Sequence, residues 1–225
     1  MGRRYVESEK EMREANPFQN TGAWFNDRTG KLTASRMAAA MSFKKDGSES
    51  AERRKLKVEI LAERLTGNIV PKYVTAEMQW GIDQEPVAKE YFTAKTGWKV
   101  LDLGFVDHHS IDNCGASPDG LVEDQHALIE IKCPTTGTML GWWLKAAESP
   151  TWVPEEHIPQ MTLQSACLGG IPVWFCGFDP RLPEKQKVLI RKFEPTKAQI
   201  EEVEKAAETF LAEIEAMFYQ INTME

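Results

Sequence analysis

Hydrophobic residues recur along the chain in two ways, as helical stripes spaced by three or four and as short β-rich runs between turn residues. Helical stripes occupy 51–65, 75–97 with Pro86 inside, 139–147 and 200–221, with shorter helices after Thr33 and from 154. Strand-like runs lie at 99–106, 114–116, 127–133, 171–178 and 187–193. This alternation predicts an α/β fold with a central mixed β-sheet flanked by helices.

The length of 225 residues, with 42% hydrophobic and 27% charged residues, is typical of one globular domain over residues 1–225. Residues 1–19 are polar and are expected to form a partly ordered N-terminal arm. The four cysteines include no CxxC pair, which argues against a disulfide framework or a zinc or iron–sulfur site. No apolar run is long enough for a membrane span, so we expect a cytoplasmic protein without membrane contact.

The net charge of −7 is unusual for a protein that binds nucleic acid. The charge is unevenly distributed, because residues from Glu201 onward are strongly acidic while Arg53, Arg54, Lys55 and Lys57 form a basic cluster. We expect this cluster to face solvent or a DNA backbone, and a solvated face is the commoner explanation. Net charge therefore does not decide the partner.

One stretch carries charged residues that a buried strand does not need. Pro118-Asp119-Gly120 is typical of a turn, and residues 127–133 form an apolar run closed by Pro134. In a strand, Glu130 and Lys132 point to one face and the isoleucines on either side of Glu130 point to the other. A carboxylate and an ammonium on one face of a buried strand indicate chemistry at that position.

The chemistry that these residues favour is metal-assisted hydrolysis. Asp119 and Glu130 offer the hard oxygen donors that Mg²⁺ prefers, and the carbonyl of Ile131 could complete the protein ligands. Lys132 could orient or deprotonate a water, or stabilise charge developing on phosphorus. The alternative is a salt bridge between Glu130 and Lys132 beside an ordinary turn.

Three further groups are candidates, each with a structural alternative. Glu85 beside the helix proline could be a third acidic ligand or could position water, but alone it would be a surface glutamate. Arg28 and Ser35, beside a helix that Thr33 is expected to cap, could form an anion pocket. Gln160 and Gln164 lie at i and i+4 and could reach a scissile phosphate or bases.

The motif resembles that of the PD-(D/E)xK nuclease superfamily, carried here by Pro118-Asp119 and Glu130-Ile131-Lys132. More narrowly, residues 22–181 resemble the lambda exonuclease (YqaJ-type viral recombinase) family. The matching segments are Trp24 to Ser35, Trp80-Gly81 with Glu85, Ser117 to Leu121, Glu130 to Pro134, Gln160, and Asp179-Pro180-Arg181. The resemblance implies a restriction-endonuclease-like core.

The resemblance also implies roles for residues in the central motif. The family positions that match Asp119 and Glu130, with the carbonyl at Ile131, bind Mg²⁺, and we expect two ions, for which Mn²⁺ can substitute. The position matching Lys132 is the catalytic lysine. The matches to Glu85 and Gln160 support the catalytic site.

Other matching positions concern the DNA end. Those of Arg28, Ser35 and Ser117 hold the 5′-phosphate of the digested strand, and that of Met78 carries an apolar wedge that parts the strands. This chain departs from the family at Thr138, where a further phosphate-binding arginine is expected. A second departure is the glutamine displaced to Gln164.

The function implied is a Mg²⁺-dependent 5′→3′ exonuclease that digests one strand of linear double-stranded DNA and leaves 3′ single strands for recombination by strand annealing. The implied partners are double-stranded DNA ends, two further copies in a homotrimer, and a single-strand annealing protein, in a bacterial host and encoded by a phage or prophage. The alternatives are a DNA endonuclease, a RecB- or Cas4-like nuclease, and a non-catalytic DNA-end-binding recombination scaffold. The intact Asp, Glu and Lys argue against the scaffold.

Overall fold

The computed structural model describes residue 19, residues 21–70 and residues 73–224. Its strands are β1 (Leu32–Thr33), β2 (Val100–Leu101), β3 (Val106–Asp107), β4 (Cys114–Ala116), β5 (Gly120–Val122), β6 (Ala127–Lys132), β7 (Val173–Phe178) and β8 (Val188–Phe193). Its α-helices are α1 (Gly22–Arg28), α2 (Met37–Ala40), α3 (Ala51–Thr66), α4 (Ala76–Thr96), α5 (Thr136–Glu148), α6 (Ile158–Cys167) and α7 (Lys197–Asn222). The predicted N-terminal arm lies outside the described residues except for its last residue, Gln19.

The strands form two mixed sheets, flanked by helices as predicted. The larger is five-stranded in the order β2-β5-β6-β7-β8, with β6 parallel to β7 and its other pairs antiparallel. The smaller is three-stranded in the order β1-β4-β3, with β1 parallel to β4. The sequence predicted one central sheet, and β6 occupies the centre of the larger one.

The prediction of one strand over 99–106 is wrong. The segment is two short strands that belong to different sheets, β2 and β3. Leu103 and Phe105 in the connection are buried, so their hydrophobic pattern is indistinguishable from that of a strand. The strand β5 was not predicted, because only three residues separate the turn at Asp119 from the next polar segment.

Three local predictions about helices are resolved by the structure. Thr33 does not cap a helix, because its hydroxyl lies 3.2 Å from the Ser35 hydroxyl and a 3₁₀ turn, Ala34–Arg36, precedes α2. Helix α5 begins at Thr136, ahead of the stripe predicted over 139–147, since Thr135 caps it by accepting from the Thr138 N–H at 3.3 Å. Pro86 lies inside the continuous helix α4. Within the described ranges, no helix is long and apolar enough to cross a membrane.

Hydrophobic clusters cover both faces of the central strand. One lies between the larger sheet and helices α6 and α7, and it includes Leu128 and Phe175. The other lies beneath α4 and joins Ile129 and Ile131 to Phe92. The central strand is therefore enclosed on both faces, and Glu130 shares its face with the first cluster.

The basic cluster on α3 is only partly exposed, which corrects the expectation that it faces solvent or DNA. Arg53 is 3% exposed, and its guanidinium contacts the Glu213 carboxylate of α7 at 2.7 Å. The Lys57 ammonium lies 3.0 Å from the same carboxylate. Arg54 and Lys55 remain exposed. Half of the cluster thus joins two helices, because the 3.6-residue period turns Arg53 and Lys57 toward α7.

Candidate active site

The site forms where β5 diverges from β6. The Asp119 N–H still donates to the Ile129 carbonyl at 3.1 Å, but beyond this point the carboxylate Oδ2 of Asp119 accepts the Ile131 N–H at 2.6 Å. A side chain thus replaces a strand partner at the end of the ladder. Because the N–H and C=O of one strand residue point to the same side, the Ile131 carbonyl also faces Asp119.

Helix α6 brings two amides to the Glu130 carboxylate. The side-chain Nε2 atoms of Gln160 and Gln164 each donate to one carboxylate oxygen at 2.5 Å, and the Lys132 ammonium forms a salt bridge with the first oxygen. Glu130 is 1% exposed, so these contacts compensate a buried charge. The i, i+4 spacing of the glutamines indicates contact with a scissile phosphate or bases, whereas their partner in this structure is the Glu130 carboxylate.

Burial and mutual repulsion perturb the titration of the acidic groups. Burial raises the pKa of Asp119 well above its usual range, and the charges of Glu130 and Glu85 raise it further. Burial also raises the pKa of Glu85, with Lys89 opposing the shift and Glu130 adding to it. The structure therefore brings three predicted carboxylates close enough to interact.

The ammonium form of Lys132 is favoured at this site. Burial acts to lower its pKa, but the charges of Glu130 and Asp119 outweigh burial and raise the pKa above its usual value. An ammonium group at this position is suited to stabilise negative charge.

A cleft of about 540 Å³ opens in front of Lys132. One wall is the N-terminal half of α4, and the other is the end of β6 with the beginning of α5 and residues before α6. The lining residues include Met78, Ile82, Glu85, Ile131, Lys132, Thr138 and His157. Met78 is 49% exposed, so its apolar side chain lies at the mouth of the cleft.

A second cluster, the Arg28 pocket, consists of Arg28, Ser35, Ser117 and Trp24. The Arg28 guanidinium donates to the Ser117 hydroxyl at 2.9 Å and to the Ser35 hydroxyl at 3.4 Å. The Trp24 ring lies beneath the guanidinium, 4.1 Å from its centroid to Cζ, and its indole N–H donates to Ser117 at 3.0 Å. The three predicted phosphate-binding residues are therefore adjacent.

The sequence interpretation gave Trp24 no role of its own. Its spacing of four residues from Arg28 within one helix was the available signal, because residues at i and i+4 lie side by side.

Arg28 differs from its neighbour Arg36 in its electrostatic surroundings. Arg36 is paired with Glu63 at 2.7 Å, whereas Arg28 forms no salt bridge with any other described residue. Burial and, to a lesser degree, the Arg36 charge lower the pKa of Arg28 to about 10, with Glu63 opposing the shift. A guanidinium held by hydroxyls without a carboxylate is suited to an anion.

The carboxylates of Asp119 and Glu130 and the Ile131 carbonyl fit a Mg²⁺ ion. In the part of the chain that the structure describes, no three His, Cys, Asp or Glu side chains are gathered as a ready metal cluster. The groups that could hold the ion are instead the carboxylates of Asp119 and Glu130 and the Ile131 carbonyl. Mg²⁺ commonly takes one or two carboxylates and completes its shell with water and substrate phosphate, so this donor set is suitable.

Comparison with known proteins agrees with the sequence resemblance. Residues 23–170 match the model of the YqaJ-like viral recombinase domain. The chain belongs to the YqaJ-like viral recombinase family. A comparison with curated proteins found no match.

Solved structures of similar proteins extend this relationship beyond the matched domain. An alkaline exonuclease (LHK-Exo) from Laribacter hongkongensis is 37% identical with a TM-score of 0.78, over 90% of this chain and 96% of that one. Its complex with dAMP gives the same identity and TM-score, over 89% and 96% of the two chains. A phage-related exonuclease from Haemophilus somnus 129PT is 13% identical with a TM-score of 0.58, over 85% and 96%, and shares the fold. The predicted PD-(D/E)xK-like core is consistent with these matches.

Replacing Gln164 should separate its support of Glu130 from simple packing. In Gln164→Met, one oxygen of Glu130 loses its donor, and we expect the free energy of unfolding to fall by about 1–3 kcal/mol. Removing a group that hydrogen-bonds to a metal ligand typically lowers activity about 10- to 100-fold, so we expect the nuclease activity of Gln164→Met to fall by that factor. Chemical denaturation and initial rates measure the two effects.

Thr162→Val is the matched control on the same helix, because the buried Thr162 hydroxyl has no hydrogen-bond partner among the described residues. We expect it to retain both stability and activity. Unchanged activity in a destabilised Gln164→Met protein would mean that Gln164 only fills space.

Proposed function

We propose that the protein is a Mg²⁺-dependent exonuclease that digests one strand of linear duplex DNA from the 5′ end and leaves 3′ single strands for annealing. Membership of the YqaJ-like viral recombinase family supports a role as a DNA exonuclease, as does the likeness to an alkaline exonuclease. The observation that carries the proposal is the proximity of two clusters. Ser117 in the Arg28 pocket and Asp119 in the carboxylate cluster belong to one turn.

The chain's own residues have separate roles in phosphodiester hydrolysis. Asp119, Glu130 and the Ile131 carbonyl would hold Mg²⁺, which would supply Lewis acidity and lower the pKa of a bound water. Mn²⁺ would substitute for Mg²⁺, since it also accepts oxygen ligands. The site would hold two ions. Lys132 carries the charge that stabilises the phosphorane-like transition state. Gln160 holds Glu130, and Glu85 faces the cleft to orient the attacking water.

The Arg28 pocket gives the proposed direction. Arg28, Ser35 and Ser117 would bind the terminal 5′-phosphate, because a guanidinium and hydroxyls together donate to several phosphate oxygens. The adjacent carboxylates would then act on the next phosphodiester bond of the same strand. Met78 would occupy the space vacated by the terminal base pair and keep the strands apart.

The proposal includes assembly with other chains. A homotrimer enclosing its product would confine positive charge to a channel, which reconciles DNA binding with a net charge of −7. A single-strand annealing protein would receive the 3′ strand, in the cytoplasm of a bacterial host that carries the phage.

Light scattering should give three times the monomer mass, and a monomer at micromolar concentration would contradict the trimer.

The first test compares end-labelled linear and covalently closed circular duplexes in Mg²⁺. We expect only the linear form to be degraded, with no activity in EDTA. Lys132→Ala should lower the rate at least about 10³-fold while Ca²⁺ binding, measured by calorimetry, persists, because the lysine stabilises charge and binds no metal. Asp119→Ala should lose both.

Lys99→Ala serves as the control, since this exposed lysine pairs with Glu123 on the surface and is not among the residues that line the cleft. Cleavage of closed circles would favour an endonuclease. Full activity of Lys132→Ala would contradict the assignment of the site.

The second test concerns the 5′ end. We expect phosphorylated ends to be digested about 10-fold faster than hydroxyl ends, the value of one charge-assisted hydrogen-bonding group. Thr138 lines the cleft where the family has an arginine, so the preference should be weaker than in relatives. Arg28→Ala should bring the ratio of initial rates close to one.

Arg54→Ala removes the same charge from an exposed position and should leave the ratio unchanged. Equal rates on both ends in the parent protein would show that the Arg28 pocket does not read the phosphate.

A further inference from the structure

The N-terminal half of α4 is held to the molecule by few buried contacts. The buried residues of this helix are Ala88 and Phe92, both in its C-terminal half. Met78 and Ile82, in the N-terminal half, are each 49% exposed. Yet this half forms one wall of the cleft, so its position relative to Lys132 needs another constraint.

Arg181, in the connection between β7 and β8, contacts Asp179 of the same connection and two other segments of the chain. Its Nε donates to the Asp179 carboxylate at 2.7 Å, and its Nη2 donates to the Pro134 carbonyl at 3.1 Å. The guanidinium also stacks on Trp80 of α4, with Cζ 4.4 Å from the ring centroid. One side chain therefore connects the segment that follows β6 to the N-terminal half of α4.

The Asp179 carboxylate, which accepts from Arg181, is itself held in place. Asp179 is fully buried and accepts a further hydrogen bond from the Thr136 hydroxyl at the start of α5, at 2.6 Å. Burial acts to raise the pKa of Asp179, but the hydrogen bonds from Arg181 and Thr136 lower it overall, so the carboxylate is ionised. The charged acceptor fixes the orientation of the guanidinium plane.

We propose that Arg181 is a positioning residue that fixes the N-terminal half of α4, and with it Met78, by stacking on Trp80 while it donates to Asp179 and Pro134. This inference rests on the proposed function, in which α4 forms the wall that meets the terminal base pair. Arginine suits the position, because a planar guanidinium can stack through its face and donate through its edge at once. A lysine ammonium has no planar face to stack on the ring and no edge of fixed donors.

The consequences differ along α4. Glu85 lies within one turn of the buried Ala88, so it keeps its place when the Trp80 contact is lost. Met78 lies beyond Trp80 and would lose its fixed position. Asp119, Glu130 and Lys132 are held by β5, β6 and α6, and the part of α4 that packs on β6 is its buried C-terminal half. Loss of the contact should therefore impair the opening of paired ends more than cleavage itself.

The test uses two 5′-phosphorylated duplexes, one fully paired and one with three unpaired nucleotides at the end. Trp80→Leu and Arg181→Lys should each lower the rate on the paired end about 10-fold, since a partly desolvated cation–π contact is worth about that factor. Rates on the unpaired end should stay within about 2-fold of the parent, a limit that corresponds to a small free-energy change. Trp80→Phe retains an aromatic face, so we expect it to keep most of the parent rate on the paired end.

The double variant Arg181→Lys/Trp80→Leu distinguishes positioning from direct DNA contact. If Arg181 acts through Trp80, the double variant is no slower than either single variant. Additive losses would mean that Arg181 binds DNA itself and would overturn the proposal. Equal losses on both duplexes would also overturn it, because general destabilisation slows both. Lys192→Met, which removes an exposed charge on β8, is the matched control.

Hydrogen exchange provides a readout that does not depend on activity. In both single variants, amides of residues 76–84 should exchange faster while those of β6 keep the parent rate. Unchanged exchange at 76–84 would overturn the positioning role even in an active enzyme. An inactive parent with the expected exchange pattern would instead refute the proposed function and leave the structural coupling intact.

Discussion

The buried charge of Glu130 is the constraint on which the rest of the site depends. A carboxylate 1% exposed on the central strand of a sheet is unfavourable unless donors surround it. The two glutamines of α6 and the ammonium of Lys132 meet this need. These contacts join α6 to β6 and also hold the side chain of Lys132. The interactions that compensate the buried charge of Glu130 therefore also position the candidate catalytic groups.

The early divergence of β5 from β6 creates the opening beside that charge. Beyond Gly120 the sheet has no backbone partner for Ile131, and the Asp119 carboxylate takes that place. A Cβ at Gly120 would lie 2.8 Å from the Leu101 carbonyl oxygen, so only glycine allows the close approach of β2 at this point. The turn that leads into β5 also carries Ser117, and a single chain segment thus fixes the Arg28 pocket relative to the carboxylates.

The arginines show why charge must be judged together with its surroundings. Arg53 and Arg36 are paired with carboxylates and stabilise the packing of helices, whereas Arg28 lies against hydroxyls and an aromatic ring. Arg181 belongs to neither group, because it is paired with Asp179 and also stacks on Trp80. Its contacts connect the β6 end of the site, which carries the charged groups, to the N-terminal half of α4, which has little buried surface of its own.

The resemblance to the family supplied Ser117 and Met78 as candidates, whereas local sequence patterns determined the strand predicted over 127–133, the long helices and the candidate residues of the central motif. These features depend on periodicity, turn chemistry and motif spacing, which act over a few neighbouring residues. The division of the strand at 99–106, the second sheet and the pairing of Arg53 with Glu213 depend on partners far along the chain. Likewise, Gln164 and Trp24 gained specific contacts only when folding brought Glu130 and Ser117 to them. The sequence could therefore name the groups, but only tertiary packing decided which of them meet, because burial and charge pairing are properties of the whole fold.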